Sequence, residues 1–184
     1  KAANWLNHIE HDWDSPLWRH WMDELTRERM LIRYDERGTG LSDWETPNLT
    51  FEAFVEDLAT VVEAAGRQRF DLLGLSQGAA VSIAYSVCHP ERVRRMVLVG
   101  GYALGWAKRD LPDEAARREA MITLTRTGWG AGNPAFRQMF TTLYIPEASP
   151  EQMDWFNDVQ RRSASPAMAE RMQRVLSGID VTGL

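Results

Sequence analysis

Cysteine is almost absent from this chain. Its 184 residues hold one, Cys88, so no internal disulfide can form. That fits a reducing compartment, and a cytoplasmic location is expected. No apolar run approaches the ~18 residues of a membrane span. Positive charge is not in excess: the net charge is −5, which argues against direct contact with nucleic acid. The start, Lys1-Ala2-Ala3-Asn4-Trp5, has no signal-peptide organisation and no initiator methionine. There is no internal repeat and no low-complexity tract. Histidine is scarce and unevenly placed: His8, His11, His20 and His89 are all there is, and none lies in the second half.

What is present is ordinary for a folded domain, with 44% hydrophobic and 26% charged residues. The chain is organised around Gly74-Leu75-Ser76-Gln77-Gly78, a G-x-S-x-G pentapeptide. Arg69-Phe70-Asp71-Leu72-Leu73 before it has the length of a buried strand. Ala79 to Cys88 after it is a small-residue and apolar run long enough for a buried helix. A strand, a sharp turn carrying Ser76 and a helix make a nucleophile elbow. Its glycines leave room where side chains would collide.

The rest alternates. Ser15-Pro16 opens a helix whose apolar face is Leu17, Trp18, Trp21, Met22 and Leu25. Core packing explains the two tryptophans better than an aromatic substrate wall. Met30 to Tyr34 reads as a short strand running into the polar loop Asp35-Glu36-Arg37-Gly38-Thr39-Gly40-Leu41-Ser42. That loop lacks the lysine and third glycine of a nucleotide site. Asp35 and Arg37 are expected to hold the turn by ion pairing and backbone hydrogen bonds. Thr50 to Ala65 is the clearest helix, with Gly66 as its stop. Val93 to Val99 is a third strand. The His, Asp and Glu residues of segment 7–14 match no standard metal-ligand spacing, so no metal and no cofactor is assigned. Helix–strand alternation implies a parallel, doubly wound sheet, with catalytic groups at the C-terminal ends of its strands.

After Gly101 the rhythm becomes helical. Four helices are expected, near 112–127, 134–145, 150–162 and 166–177. Three open on a cap and a proline: Asn133-Pro134, Ser149-Pro150 and Ser165-Pro166. Ser149 with Gln152 also forms a capping box. The domain reading is therefore 1–101 as α/β core and 102–184 as an inserted helical lid. The methionines suit either an adaptable lid surface or filling between helices.

Three motifs in order resemble the α/β-hydrolase fold family. The run Tyr34 to Ser42 is similar to its D-x-R-G-x-G-x-S loop, Gly74 to Gly78 to its elbow, and His89-Pro90-Glu91-Arg92-Val93 to its H-P-E-R-V turn. In detail the chain resembles a bacterial subgroup with an R-Y-D-E-R-G-x-G-L-S-D-W loop, some of whose members are fused to regulatory domains. The resemblance implies a serine hydrolase acting on an ester-like or other carbonyl-bearing small molecule. Ser76 would be the nucleophile, and the backbone N–H groups of Gln77 and Trp5 the oxyanion hole. Ala3-Asn4 stand where the family usually has His-Gly. The family order is serine, acid, histidine, and neither partner is found after the lid. The expectation is a fragment truncated at both ends, inactive or nearly so by itself. A serine nucleophile excludes dehalogenase and epoxide-hydrolase chemistry. Ester, thioester, amide and carbon–carbon hydrolysis and perhydrolysis stay open. The alternative is a ligand-sensing module of a regulatory protein. Oligomeric state is not set by the sequence.

Overall fold

A computed structural model describes residues 1–184. The centre is a parallel pair of strands, β1 (Phe70–Leu75) and β2 (Val93–Val99), in register from Leu72 opposite Met96 to Leu75 opposite Val99. Helix α3 (Gln77–Cys88) connects them, as a parallel crossover requires. It packs against β1 and against α2 (Phe51–Ala64). The apolar stripe of α2 supplies Phe54, Leu58 and Val62 to the core, and the Thr50 side chain caps the helix by accepting from the Ala53 N–H.

Three expectations need correction. Met30 to Tyr34 is not a strand of the sheet. Strand character needs a ladder of partners. This segment has a single such bond, from the Lys1 amino group to Ile32 O at 2.8 Å. Segment 1–3 lies between it and β1, because Ala2 N–H donates to Leu73 O at 2.9 Å. The first helix, α1 (Arg19–Thr26), begins later than Ser15-Pro16 suggests. Ser15 Oγ accepts from the N–H groups of Leu17 and Trp18, both at 3.1 Å, and so caps a turn that precedes the helix. Cys88 is exposed rather than buried: α3 packs through its earlier turns, and Val87 and Cys88 in its last turn face outward.

The second half is helical: α4 (Pro112–Gly128), α5 (Pro134–Tyr144), α6 (Pro150–Ser163) and α7 (Pro166–Ser177). Asn133, Ser149 and Ser165 each cap their helix through the side chain, with proline at the first position. Both bonds of the Ser149–Gln152 capping box are formed. One cluster of 20 buried residues runs through both halves, joining Phe54, Leu58 and Tyr85 to Met168, Met172 and Leu176. Polar bonds reinforce it. Gly40 N–H donates to Ser163 O at 2.8 Å, and Arg171 reaches Thr46 O and Pro47 O at 2.8 and 3.2 Å. No helix is long and apolar enough to cross a membrane.

Candidate active site

Ser76 stands between β1 and α3 with φ 52° and ψ −126°. This is a conformation that L-residues other than glycine rarely adopt, and it costs on the order of 1–3 kcal/mol. Packing enforces it. The Ser76 N–H donates to Val99 O of β2 at 3.0 Å, and the Ala79 N–H returns to Ser76 O at 3.0 Å. The two elbow glycines are needed for close approach. A Cβ on Gly74 would lie 2.6 Å from Gly78 O and 2.7 Å from Ser82 Oγ. One on Gly78 would lie 2.7 Å from Ala3 O. Segment 1–3 is thus pressed directly onto the start of α3.

That contact sets the position of Trp5. Ser76 and Trp5 line one cavity of about 950 Å³. The Trp5 ring is 7% exposed and stacks on Trp129, centroids 5.4 Å apart. Trp129 meets Phe140 edge-on and donates its indole N–H to Ala164 O at 3.0 Å. The far wall comes from the helical half, with Met121, Tyr144 and Leu176. Gln77, first in α3, is wholly buried. Neither its backbone N–H nor that of Trp5 donates to a backbone carbonyl. The structure therefore gathers the three residues singled out from the sequence at one end of the sheet.

Other singled-out residues lie elsewhere. Trp18 and Trp21 contact each other edge-on and do not line the cavity. Among the methionines Met121 lines it, whereas Met168 and Met172 fill the core. No histidine lines it. His89 packs on Tyr85 at 4.6 Å, and His11 stacks on Trp155 of α6 at 5.2 Å.

The polar loop after Tyr34 is tightly tied. Asp35 accepts from the N–H groups of Ile9 (3.0 Å) and Leu41 (2.8 Å) and from the Asn7 amide. Arg37 makes a two-point fork with Asp57 of α2, at 2.7 and 2.6 Å. Between them is a residue that the sequence reading passed over. Glu36 is 1% exposed and meets Gln77 Nε2 at 3.4 Å. Burial pushes its carboxyl up to about 8; the Gln77 hydrogen bond opposes this and the Asp57 charge adds to it. The only signal in the sequence is an acidic residue inside a turn whose neighbours are already committed.

A strained serine at the C-terminal end of a parallel strand, opening a helix beneath a largely apolar cavity, defines an α/β protein with a strand–turn–helix centred on Ser76. The chain belongs to the α/β-hydrolase fold family, whose model matches residues 9–140. It is 36% identical over 129 residues to a 2-hydroxymuconate semialdehyde hydrolase from Pseudomonas sp. strain CF600, covering 70% of this chain and 41% of that protein. It is 36% identical over 85 residues to pyrrolizixenacetamide deacetylase from Xenorhabdus hominickii, covering 46% of this chain and 32% of that one. Among solved structures, an esterase from Exiguobacterium antarcticum superposes with a TM-score of 0.76 at 21% identity, over 93% of this chain and 65% of its own. At that identity the likeness concerns the fold. The match spans about a third to two fifths of the length of these relatives, 32% and 41%.

Proposed function

We propose that these 184 residues are the nucleophile-bearing part of a serine hydrolase acting on a small molecule with an ester-like or other carbonyl group. The observation that carries this is the strained Ser76 facing the same cavity as Trp5. Ser76 Oγ attacks the carbonyl carbon and gives its proton to a general base. The oxyanion that forms is held by the Gln77 and Trp5 N–H groups, a pair of donors worth about 3–4 kcal/mol each when removed singly. Collapse expels the leaving group, which takes the proton, and water then frees the acyl group from Ser76. Residues 102–184 form the lid, whose inner side shapes the substrate space. The base and its acid come from residues outside this sequence, since no histidine lines the cavity. A serine hydroxyl without a base is a weak nucleophile. No metal and no cofactor has a part in this scheme.

The same absence of a histidine motivates a second reading, a ligand-sensing module that keeps the pocket. One experiment separates them. The full-length protein carrying this chain is treated with a fluorophosphonate probe, which reacts with an activated serine. Labelling that Ser76→Ala abolishes supports the hydrolase; no labelling favours the sensor. The segment alone is expected to turn over p-nitrophenyl esters barely or not at all. Hydrolase-like rates from it, lost in Ser76→Ala, would overturn the assignment of the base to residues elsewhere.

A further inference from the structure

Glu36 is a fully buried carboxyl that the hydrolytic scheme leaves unused. Its placement is not loose. Thr39 donates to Glu36 O twice, from its N–H at 2.9 Å and its hydroxyl at 2.8 Å. On either side, Asp35 and Arg37 are fixed to Ile9, Leu41 and Asp57. A loop held at three consecutive residues presents the Glu36 side chain to one group, the Gln77 amide, 41 positions away in the chain. Gln77 is 0% exposed, and its Oε1 is a buried acceptor with no donor. An orphaned buried acceptor is costly unless something fills it.

A carboxylic acid and a primary amide are complementary. The amide N–H donates to the acid carbonyl, and the acid O–H donates to the amide carbonyl. The first of these bonds is in the structure, from Gln77 Nε2 to Glu36 Oε2. The second needs a proton on Glu36, and Gln77 Oε1 is the acceptor left for it. The surroundings favour that proton. Burial is the dominant influence. Of the charged groups facing Glu36, Asp57 on α2 repels a carboxylate, while Lys1 and Arg37 attract one. Arg37 is already engaged by Asp57, and the Lys1 ammonium is bonded to Asn4 and to Ala2 O. Tyr34 and Tyr102 lie close enough to feel the Glu36 charge, and burial raises both hydroxyls far above their working range, so they remain neutral.

We propose that Glu36 is a positioning residue: as a neutral acid it grips the Gln77 side chain and so fixes the Gln77 backbone N–H toward the oxyanion formed at Ser76. Glu36 touches neither substrate nor nucleophile and acts through the residue next to the nucleophile. An oxyanion donor is effective only when it is held at the developing charge, and displacements near 1 Å cost up to about 100-fold in rate. The proposal rests on the reading of Ser76 as nucleophile, and its test separates the two.

The first measurement needs no catalysis. In the full-length protein labelled with carbon-13 at glutamate Cδ, the Glu36 signal is identified by its loss in Glu36→Gln. It is expected to titrate with a midpoint near 8, as burial dictates. A midpoint near the usual 4.3 of glutamate would overturn the neutral acid. The second measurement is the rate of fluorophosphonate labelling and ester turnover across pH. Glu36→Met fills the space without hydrogen bonds, and is expected to lower kcat about tenfold or more with KM nearly unchanged. Glu36→Gln keeps an uncharged hydrogen-bonding head. It is expected to stay within about threefold of the parent and to lose the decline in activity above pH 8. Parent-like kcat in Glu36→Met would overturn the positioning role while leaving the nucleophile intact. Labelling that survives Ser76→Ala would overturn the nucleophile and the role together, with the titration still reporting on the acid–amide pair.

Discussion

At the scale of single residues, Ser76 and Glu36 both work against stability. The backbone of Ser76 is held where glycine is at ease. Ser76→Gly is therefore expected to raise stability by about 1 kcal/mol in urea unfolding while removing the hydroxyl that the proposed chemistry needs. Unchanged or lower stability would show that the turn carries no strain. Glu36 acts through pH. Its folded-state pKa of about 8 lies above the unfolded value near 4.3, so the folded chain binds the extra proton between those limits. Stability is then fully present below the lower limit and is lost as pH rises toward the upper one. Buried Asp12, raised to about 6 by burial, acts in the same sense over a shorter span. The Lys1 amino group, lowered to about 5 by burial, acts in the opposite sense over the same span. The Glu36 part is therefore read as a difference: the melting temperature of the parent is expected to fall relative to that of Glu36→Gln between pH 5 and pH 8. Parallel profiles would remove Glu36 from this account.

Elements differ in how far the sequence reveals them, and the difference follows the range of the interactions that make them. Helix starts are local. Ser149, Pro150 and Gln152 contain their whole instruction within four residues, and the capping box formed as read. Ser149→Ala is expected to cost about 1 kcal/mol by urea titration, with Ser149→Gly costing less. Ser15-Pro16 has the same letters yet caps only a turn, because the helix that follows gains its packing later, at Met22. Strands are not local. Met30 to Tyr34 carries the right residue types, but a strand exists only with its neighbours, and the one hydrogen bond at Ile32 does not make a ladder. The elbow was legible because its letters, the strand before it and the helix after it are contiguous; Gly74 answers to Gly78 and Ser82 nearby, whereas the contact of Gly78 with Ala3 could not be read from the motif. Glu36 was not, since its burial and its pairing with Gln77 join a loop to a helix start far along the chain. Cys88 misled because a run of apolar letters says nothing of where the last turn of α3 leaves the sheet.

At the scale of the molecule, the two halves share one interior. Met172, on α7, is 0% exposed and belongs to the same cluster as Phe54 and Leu58 on α2. The helical half is thus not a separately stable cap laid over a finished core. Met172→Ala is expected to cost about 2–5 kcal/mol and to shift a single cooperative transition seen alike by far-ultraviolet circular dichroism and by tryptophan fluorescence. Two separated transitions would show that the halves unfold independently. Strand β2 is the opposite case: Val97 on one face is 57% exposed and Leu98 on the other is 42% exposed, so neither face is covered within these residues.

The stack of Trp5 on Trp129 joins these scales. One indole is carried by the segment pressed against α3, the other by the turn that follows α4, and both border the space in front of Ser76 or support its wall. Two chromophores this close share their excited states, so their coupling reports how far apart the two segments that carry them sit. A ligand that entered and parted the rings would announce itself by a change in the paired circular-dichroism bands, with no dye attached and no reaction required. The pair is an intrinsic optical gauge of how those two segments sit against each other, and Trp129→Phe would silence it.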